Sequence, residues 1–231
     1  MKKIVLSAAA CVAIGGFAMA GGDIAPVAPA PMDSWSGFYV GVQAGGVWGD
    51  ADVDYQTDTQ SYGYYKTYGL NVDGFAGGLY AGYNWLLQDN WLVGVEGEWN
   101  YVSADDTGAV VNDPTTTTKV EQNWDASLRV RAGKVIGDSL FYITGGIAWG
   151  DFDLAVYDAS DRGSGSYTLT GWTLGAGWEY RFSEHLSARI QYRYTDYGDD
   201  TKRVWSQPPS YIDAKLNYNS HMVMVGFSYR F

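Results

Sequence analysis

Apolar and polar residues alternate with a period of two along eight segments of this sequence. The alternation is clearest at the C-terminus, where one parity carries only apolar and aromatic residues: Val223, Val225, Phe227, Tyr229 and Phe231. A period of two predicts a β-strand with one apolar face and one polar or mixed face. The eight predicted strands cover residues 37–48, 75–85, 91–101, 123–135, 140–149, 167–180, 186–195 and 221–231.

The connections between these strands alternate between short and long. The short ones cover residues 86–90, 136–139 and 182–185, and the long ones cover residues 50–74, 103–122, 150–166 and 196–217. Short turns at one end and long loops at the other are typical of outer-membrane barrels. A soluble β-sandwich or a lipocalin-like barrel also alternates, but it has no reason to segregate its turns by length. We therefore predict an all-β fold, an eight-stranded antiparallel up-and-down transmembrane β-barrel.

The large aromatic residues of outward parity fall near the strand ends. One group lies at the end with the short turns: Phe38, Tyr83, Trp85, Trp91, Phe141, Trp178, Tyr180, Phe227, Tyr229 and Phe231. The other lies at the end with the long loops: Trp48, Phe75, Trp99, Tyr101, Trp124, Trp149, Trp172 and Tyr194. These groups predict the two aromatic girdles of a membrane barrel. A soluble core would concentrate its large aromatics in the middle of the strands instead.

The N-terminal residues differ in composition from the rest of the chain. Residues 1–20 contain two lysines, an apolar run and an Ala-Met-Ala ending, which predicts a secretory signal peptide. Residues 21–34 contain three prolines and several alanines, and we expect an extended linker there. Residues 35–231 then form the barrel. The single cysteine, Cys11, lies in the signal peptide, so we expect no disulfide in the mature chain.

The chain is acidic, with 26 Asp and Glu residues against 15 Lys and Arg residues and a net charge of −11. Loss of Lys2 and Lys3 with the signal peptide leaves 13 basic residues and a net charge of −13. An excess of negative charge argues against nucleic acid as a partner. The acidic residues crowd into the predicted long loops, so we expect them to form a solvated rim.

Three strand motifs carry a family resemblance. Residues 35–41 read Trp-Ser-Gly-Phe-Tyr-Val-Gly, residues 81–85 read Ala-Gly-Tyr-Asn-Trp, and residues 142–148 read Tyr-Ile-Thr-Gly-Gly-Ile-Ala. Together they resemble the RopB-type family of small alphaproteobacterial outer-membrane proteins, which includes Brucella and rhizobial major outer-membrane proteins and Bartonella hemin-binding proteins. The resemblance covers about residues 35–231. It implies a barrel like the transmembrane half of the OmpA type, with no peptidoglycan-binding domain after it.

The resemblance also implies a function and partners. The expected role is structural, in support of the integrity of the cell envelope, with porin-like or surface-recognition activity as competing roles. The expected surroundings are outer-membrane lipid and lipopolysaccharide. Val225, Phe227, Tyr229 and Phe231 further resemble the C-terminal aromatic signature of bacterial outer-membrane barrels, which implies recognition by the barrel-assembly machinery.

Nine charged residues have the inward parity of their strands. They are Glu96, Glu98, Asp125, Arg129, Arg131, Glu179, Arg189, Arg193 and Arg230. Strands three and four are sequence neighbours, so we expect Glu96 and Glu98 to pair with Arg129 and Arg131. One interpretation is a polar interior whose charges are paired. The other is a narrow conduction path, although eight strands leave a lumen just wide enough for side chains.

Catalytic and cofactor chemistry has little support in the sequence. Ser220 precedes His221, but adjacent residues of a strand point to opposite faces. The other histidine, His185, falls in a short turn. We find no nucleophile with a base and an orienting group, and we expect no enzyme activity, no cofactor and no metal.

The first long connection is rich in tyrosine. It contains Tyr55, Tyr62, Tyr64, Tyr65 and Tyr68 among acidic residues. Such a segment either anchors itself by hydrogen bonds at the membrane interface or binds a surface ligand, and tyrosine is also a ligand for haem iron. The alternative to a structural role is therefore a surface protein that binds hemin or a host factor.

Overall fold

Eight antiparallel strands close into a barrel in the computed structural model, which describes residues 35–57, 65–110, 113–157, 162–207 and 210–231. Each strand pairs with its sequence neighbours, and the last strand pairs with the first. The predicted fold class is confirmed. The signal peptide and linker predicted at residues 1–34 lie outside the described residues. The strands are β1 (Gly37–Thr57), β2 (Tyr65–Leu86), β3 (Trp91–Val110), β4 (Asp113–Ile136), β5 (Ser139–Tyr157), β6 (Arg162–Arg181), β7 (Leu186–Gln207) and β8 (Ser210–Arg230).

The three short turns lie where the sequence predicts them. A single 3-10 turn, Gln88–Asn90, joins β2 to β3. Asp89 and Asn90 have φ values of 57° and 59°, a left-handed conformation that Asp and Asn tolerate better than most residues. Gly137 joins β4 to β5 with φ 61°. We call the end of the barrel with these turns the lower end.

The lower part of each strand, which contains the predicted segment, has the predicted orientation. Outward side chains such as Leu128, Ile143 and Phe227 are about half or more exposed, whereas inward side chains such as Arg129 and Arg193 are buried. The predicted girdle residues Trp85, Phe141 and Trp172 are exposed on the outer wall, as are most of the others. The barrel therefore presents an apolar outer face and a polar lumen in this section.

The four long connections are largely strand, which corrects the prediction of long loops there. Strands β1 to β8 are 19 to 24 residues long, roughly twice the predicted length. Above the upper girdle the alternation continues with its polarity inverted. On β1, Val47 and Ala51 face inward and are buried, while Asp50 faces outward and is exposed. This segment is polar outside and apolar inside, which is the pattern of a barrel in water.

Apolar inward residues of this upper section and of the strand segments just below the upper girdle form one buried cluster, which we call the upper core. All of them are at most 3% exposed. They are Val47, Ala51, Val72, Ala76, Val102, Ala104, Val120, Ala148, Phe152, Leu169, Tyr197, Leu216, Tyr218, Met222 and Met224. A smaller apolar cluster, the lower cap, closes the other end: Trp35, Leu92, Val135, Leu140 and Tyr142.

A β-bulge makes the upper section of β4 harder to predict than the rest of that strand. The pairing with β5 shifts between Gln122 and Trp124. Below the bulge the inward residues of β4 have odd numbers, for example Asp125, and above it they have even numbers, for example Gln122 and Val120. One extra residue reverses which parity faces the lumen.

Candidate functional site

The middle of the lumen holds all nine charged residues that the sequence predicts there, and we call this set the ionic layer. Each is at most 5% exposed. They are Glu96, Glu98, Asp125, Arg129, Arg131, Glu179, Arg189, Arg193 and Arg230. The layer lies between the upper core and the lower cap.

Glu96 is at the centre of the ionic layer. Its Oε1 accepts a hydrogen bond from Arg129 Nη2 at 2.7 Å, and its Oε2 accepts one from Arg189 Nη1 at 2.6 Å. Arg131 Nη1 lies 3.6 Å from the same Oε2, and Tyr39 Oη donates to it at 2.7 Å. One carboxylate thus faces three guanidinium groups, because β3, β4 and β7 all point long side chains to the barrel axis.

Glu98 and Asp125 form the upper part of the layer. Arg129 Nη2 donates to Glu98, and Arg193 Nη1 lies 2.9 Å from Glu98 Oε1. Arg193 Nη2 donates to Asp125 Oδ1 at 2.7 Å. Asn100 Nδ2 bridges the two carboxylates, at 2.7 Å from Glu98 and 2.8 Å from Asp125.

Glu179 forms the lower part. It accepts hydrogen bonds from Arg131 at 2.9 Å, from Arg230 at 3.1 Å and from the Ser187 hydroxyl at 2.6 Å. Arg230 also lies 4.8 Å from the centre of the Trp35 ring. This cation–π contact joins the ionic layer to the lower cap.

The sheet register explains which of these contacts sequence reasoning finds. Glu96 pairs directly with Arg129 across β3 and β4, as neighbouring strands allow. Arg189 and Arg193 reach the same carboxylates from β7, on the other side of the lumen, and no sequence proximity indicates this. Tyr39 and Asn100 were also missed, although their inward parity and polar character are visible in the sequence.

The arginines are also stacked on aromatic rings. The Arg189 guanidinium carbon lies 3.4 Å from the centre of the Tyr80 ring, and that of Arg131 lies 4.1 Å from the centre of the Tyr142 ring. Such stacking suits arginine because its planar group is weakly hydrated. The arrangement can neutralise buried charges and fill space.

The histidine that adjoins a serine does not form a catalytic pair. Ser220 points into the barrel and is buried, while His221 lies on the outer wall. There the Tyr192 hydroxyl lies 2.7 Å from His221 Nδ1, and the Trp48 ring stacks on the imidazole at 5.9 Å. Among the described residues, no group of three His, Cys, Asp or Glu side chains is arranged to hold a metal ion.

The C-terminal signature lies on the outer wall beside the closing seam. Val225, Phe227, Tyr229 and Phe231 are 44–67% exposed. The Phe231 amide donates to the Phe38 carbonyl at 3.0 Å, and the two rings are 5.7 Å apart. The last residue of the chain is therefore tied to the first strand.

The tyrosine-rich connection is only partly described. Tyr62 and Tyr64 lie outside the described residues. Tyr55 and Tyr65 pair at the tips of β1 and β2, and Tyr68 also belongs to β2. Most of the segment predicted as a loop is therefore strand.

A closed barrel with an apolar outer belt, two aromatic girdles and a polar lumen defines the class of bacterial outer-membrane barrels. The model of the outer membrane protein beta-barrel domain matches residues 9–231, and the chain belongs to this family. The relatives place the chain among the small outer-membrane proteins of alphaproteobacteria, as the strand motifs predict. They also place it in the outer membrane.

Two relatives and one solved structure illustrate the similarity. The chain is 32% identical over 251 residues to the 31 kDa outer-membrane immunogenic protein of Brucella melitensis, with full coverage of both chains. It is 36% identical over 175 residues to a 22 kDa outer membrane protein of Rhizobium leguminosarum bv. viciae, covering 75% of this chain and 68% of that one. The fold resembles outer membrane protein OprG from Pseudomonas aeruginosa, with a TM-score of 0.56, 17% identity, and coverage of 85% and 96%.

Proposed function

We propose that this protein is a structural barrel of the outer membrane that supports envelope integrity and does not conduct. The observation that carries the proposal is the ionic layer, in which nine buried charged side chains fill the middle of the lumen. Each of the four carboxylates has at least one guanidinium partner within hydrogen-bond distance.

A conduction path would require hydrated space along the barrel axis. The side chains of Glu96, Glu98 and Arg129 have no exposed surface, so they contact protein on all sides. An ion that entered this layer would have to separate buried ion pairs, and breaking one such pair costs roughly 3–5 kcal/mol. The geometry therefore favours a structural barrel over a porin.

The outer wall supports the structural role. The apolar belt and the girdles hold the barrel in the bilayer, with outer-membrane lipid and lipopolysaccharide as the proposed partners. The polar outer wall of the upper section extends above the belt into the aqueous layer. No catalytic role is proposed for the barrel.

The proposal is tested in cells that lack the protein. We expect deletion to increase sensitivity to detergent and to chelators, and a plasmid copy of the wild-type chain to restore resistance. The uptake of a small hydrophilic antibiotic should stay unchanged, because a closed barrel contributes no path for it. Reduced uptake after deletion, restored by the plasmid copy, would show a porin instead.

The competing role is a surface protein that binds hemin or a host factor through the tyrosine-rich connection. Its support is the composition around Tyr55 and Tyr68, together with strands that carry this connection above the membrane. Saturable binding of hemin to cells, lost when residues 58–64 are replaced by a Gly/Ser segment of equal length, would favour it.

A further inference from the structure

The upper core contains three aromatic rings that contact each other across the lumen. The Phe152 ring centre lies 5.3 Å from that of Tyr197 and 4.7 Å from that of Tyr218, and the two tyrosine rings are 5.9 Å apart. They come from β5, β7 and β8. The rings therefore span from one wall of the barrel towards another rather than lining a single wall.

Two glycines of the barrel wall, Gly49 and Gly150, lie directly against these rings. A Cβ atom at Gly150 would lie 2.8 Å from the Phe152 ring and 3.0 Å from the Tyr197 ring. A Cβ atom at Gly49 would lie 2.9 Å from the Tyr218 hydroxyl. Because any side chain at these positions would collide with the rings, the rings are packed directly against the backbone.

Hydrogen bonds hold the rings over the ionic layer. The Tyr197 hydroxyl donates to Asp125 Oδ2 at 3.0 Å, and the Tyr218 hydroxyl donates to Gln122 Oε1 at 3.2 Å. Tyr197 thus directs its hydroxyl to a carboxylate of the ionic layer, and Tyr218 directs its hydroxyl to an uncharged amide. The upper core is in direct contact with the ionic layer, because the Arg193 guanidinium donates to Met222 Sδ at 2.8 Å.

The ionic layer and the upper core differ in whether their side chains can bind water. Arg129 Nε, Arg129 Nη1 and Arg193 Nε are buried without a hydrogen-bond partner, so a water molecule that reached them would be bound favourably. Apart from the hydroxyls of Tyr197 and Tyr218, the side chains of the upper core carry no nitrogen or oxygen atom that could bind such a water. Exclusion of water therefore has to come from the apolar layer.

We propose that the upper core is the extracellular water seal of the lumen and that the ionic layer is a buried layer behind it. This inference rests on the proposed closed lumen, and it identifies the residues that close the lumen at its extracellular end. The seal keeps external water and salt from the ion pairs, which are screened far less when buried than when exposed. Phe152, Tyr197 and Tyr218 are its central residues.

The test uses thiol labelling, because the only natural cysteine, Cys11, belongs to the predicted signal peptide. Ser127 is buried in the ionic layer, 3.4 Å from Arg193 Nη1, and Ser166 is exposed on β6. Each is changed to cysteine in the mature refolded chain, and labelling by a small charged methanethiosulfonate is timed. We expect S127C to react about 100-fold or more slowly than S166C, because a buried group reacts only when the structure opens.

Second substitutions in the S127C background locate the seal. Phe152→Ala with Tyr218→Ala should raise the labelling rate of S127C towards that of S166C. The matched control, Phe75→Ala with Tyr101→Ala, removes two rings from the outer wall and should leave S127C slow. Heat-modifiable migration on gels verifies that each variant is folded. If the double core variant does not fold, Tyr218→Ala alone is used, with the same expected direction.

Three results would overturn the inference. The first is fast labelling of S127C in the otherwise unchanged protein. The second is slow labelling in folded chains that lack the core rings. The third is fast labelling when only the ionic layer is altered, by Glu98→Gln, with the upper core intact. The labelling rate of S127C and the antibiotic uptake of cells are measured independently. Failure of the seal is therefore distinguishable from failure of the structural role.

Discussion

At the scale of single residues, the account depends on charges that are buried but paired. Glu96 is a clear case, with three guanidinium groups and one phenol around its two oxygens. Removing the charge of such a residue leaves arginines buried with less compensation, and an uncompensated buried charge is costly.

We therefore expect Glu96→Gln to lower the free energy of unfolding by roughly 3–5 kcal/mol. Ser127→Ala is the matched control in the same layer. Among the described residues its hydroxyl accepts one long contact, 3.4 Å from Arg193 Nη1, so its loss should cost far less. The measurement is the urea midpoint of both variants in detergent micelles. Equal losses would contradict a central role for Glu96.

The residue scale also shows which part of the site is predictable. The pairing of Glu96 with Arg129 follows from parity and from the adjacency of β3 and β4. The contacts of Arg189 and Arg193 depend on the diameter of the closed barrel and on side-chain reach across it. Neither quantity can be obtained from the alternation of one strand.

At the scale of elements, each strand contains two patterns of opposite polarity. An apolar outer face along the whole strand predicts that β1 ends at Trp48. In the structure it continues to Thr57, with Val47 and Ala51 inside and Asp50 outside. Asp50, Asp52 and Asp105, which lie in the predicted loops, are exposed on the outer side of strands.

This inversion predicts where an arginine is tolerated on the outer wall. Leu128 is exposed in the apolar belt, and Leu128→Arg should destabilise the barrel by roughly 2–4 kcal/mol if the residue lies near the midplane of the bilayer. Ser103 faces outward at the level of the upper girdle, where it pairs with Phe75, and Ser103→Arg should cost about 0–1 kcal/mol there. Refolding titrations in lipid vesicles measure both. Similar costs would mean that the boundary of the apolar belt is misplaced.

The closing strand gives a second prediction at this scale. Deletion of Phe231 removes the amide that bonds to Phe38 and the ring beside it at the β1–β8 seam. We expect less heat-modifiable, protease-resistant protein in the outer membrane, because recognition of the terminal aromatic by the assembly machinery and closure of the seam are both affected. Phe231→Tyr is the control and should assemble normally. Wild-type levels after the deletion would contradict the role of this residue.

At the scale of the whole molecule, the lumen is a stack of three sections. The lower cap and the upper core are apolar, and the ionic layer between them is polar. The outer wall has the complementary order, apolar around the ionic layer and polar around the upper core. The fold class, the short turns and the girdles follow from the sequence because they depend on local alternation. The order of the three lumen sections does not follow from the sequence, because it depends on the position along each strand at which the membrane ends.

The central claim is that this outer-membrane barrel is closed, and single-channel recording of the refolded protein in planar bilayers tests it most directly. An empty-detergent addition serves as the baseline, and a general porin of known conductance verifies the sensitivity of the assay. We expect no steps above baseline for the wild-type protein, because the ionic layer and the upper core leave no hydrated path. Steady unitary conductance of the wild-type protein, altered in ion selectivity by Glu96→Gln, would contradict the account.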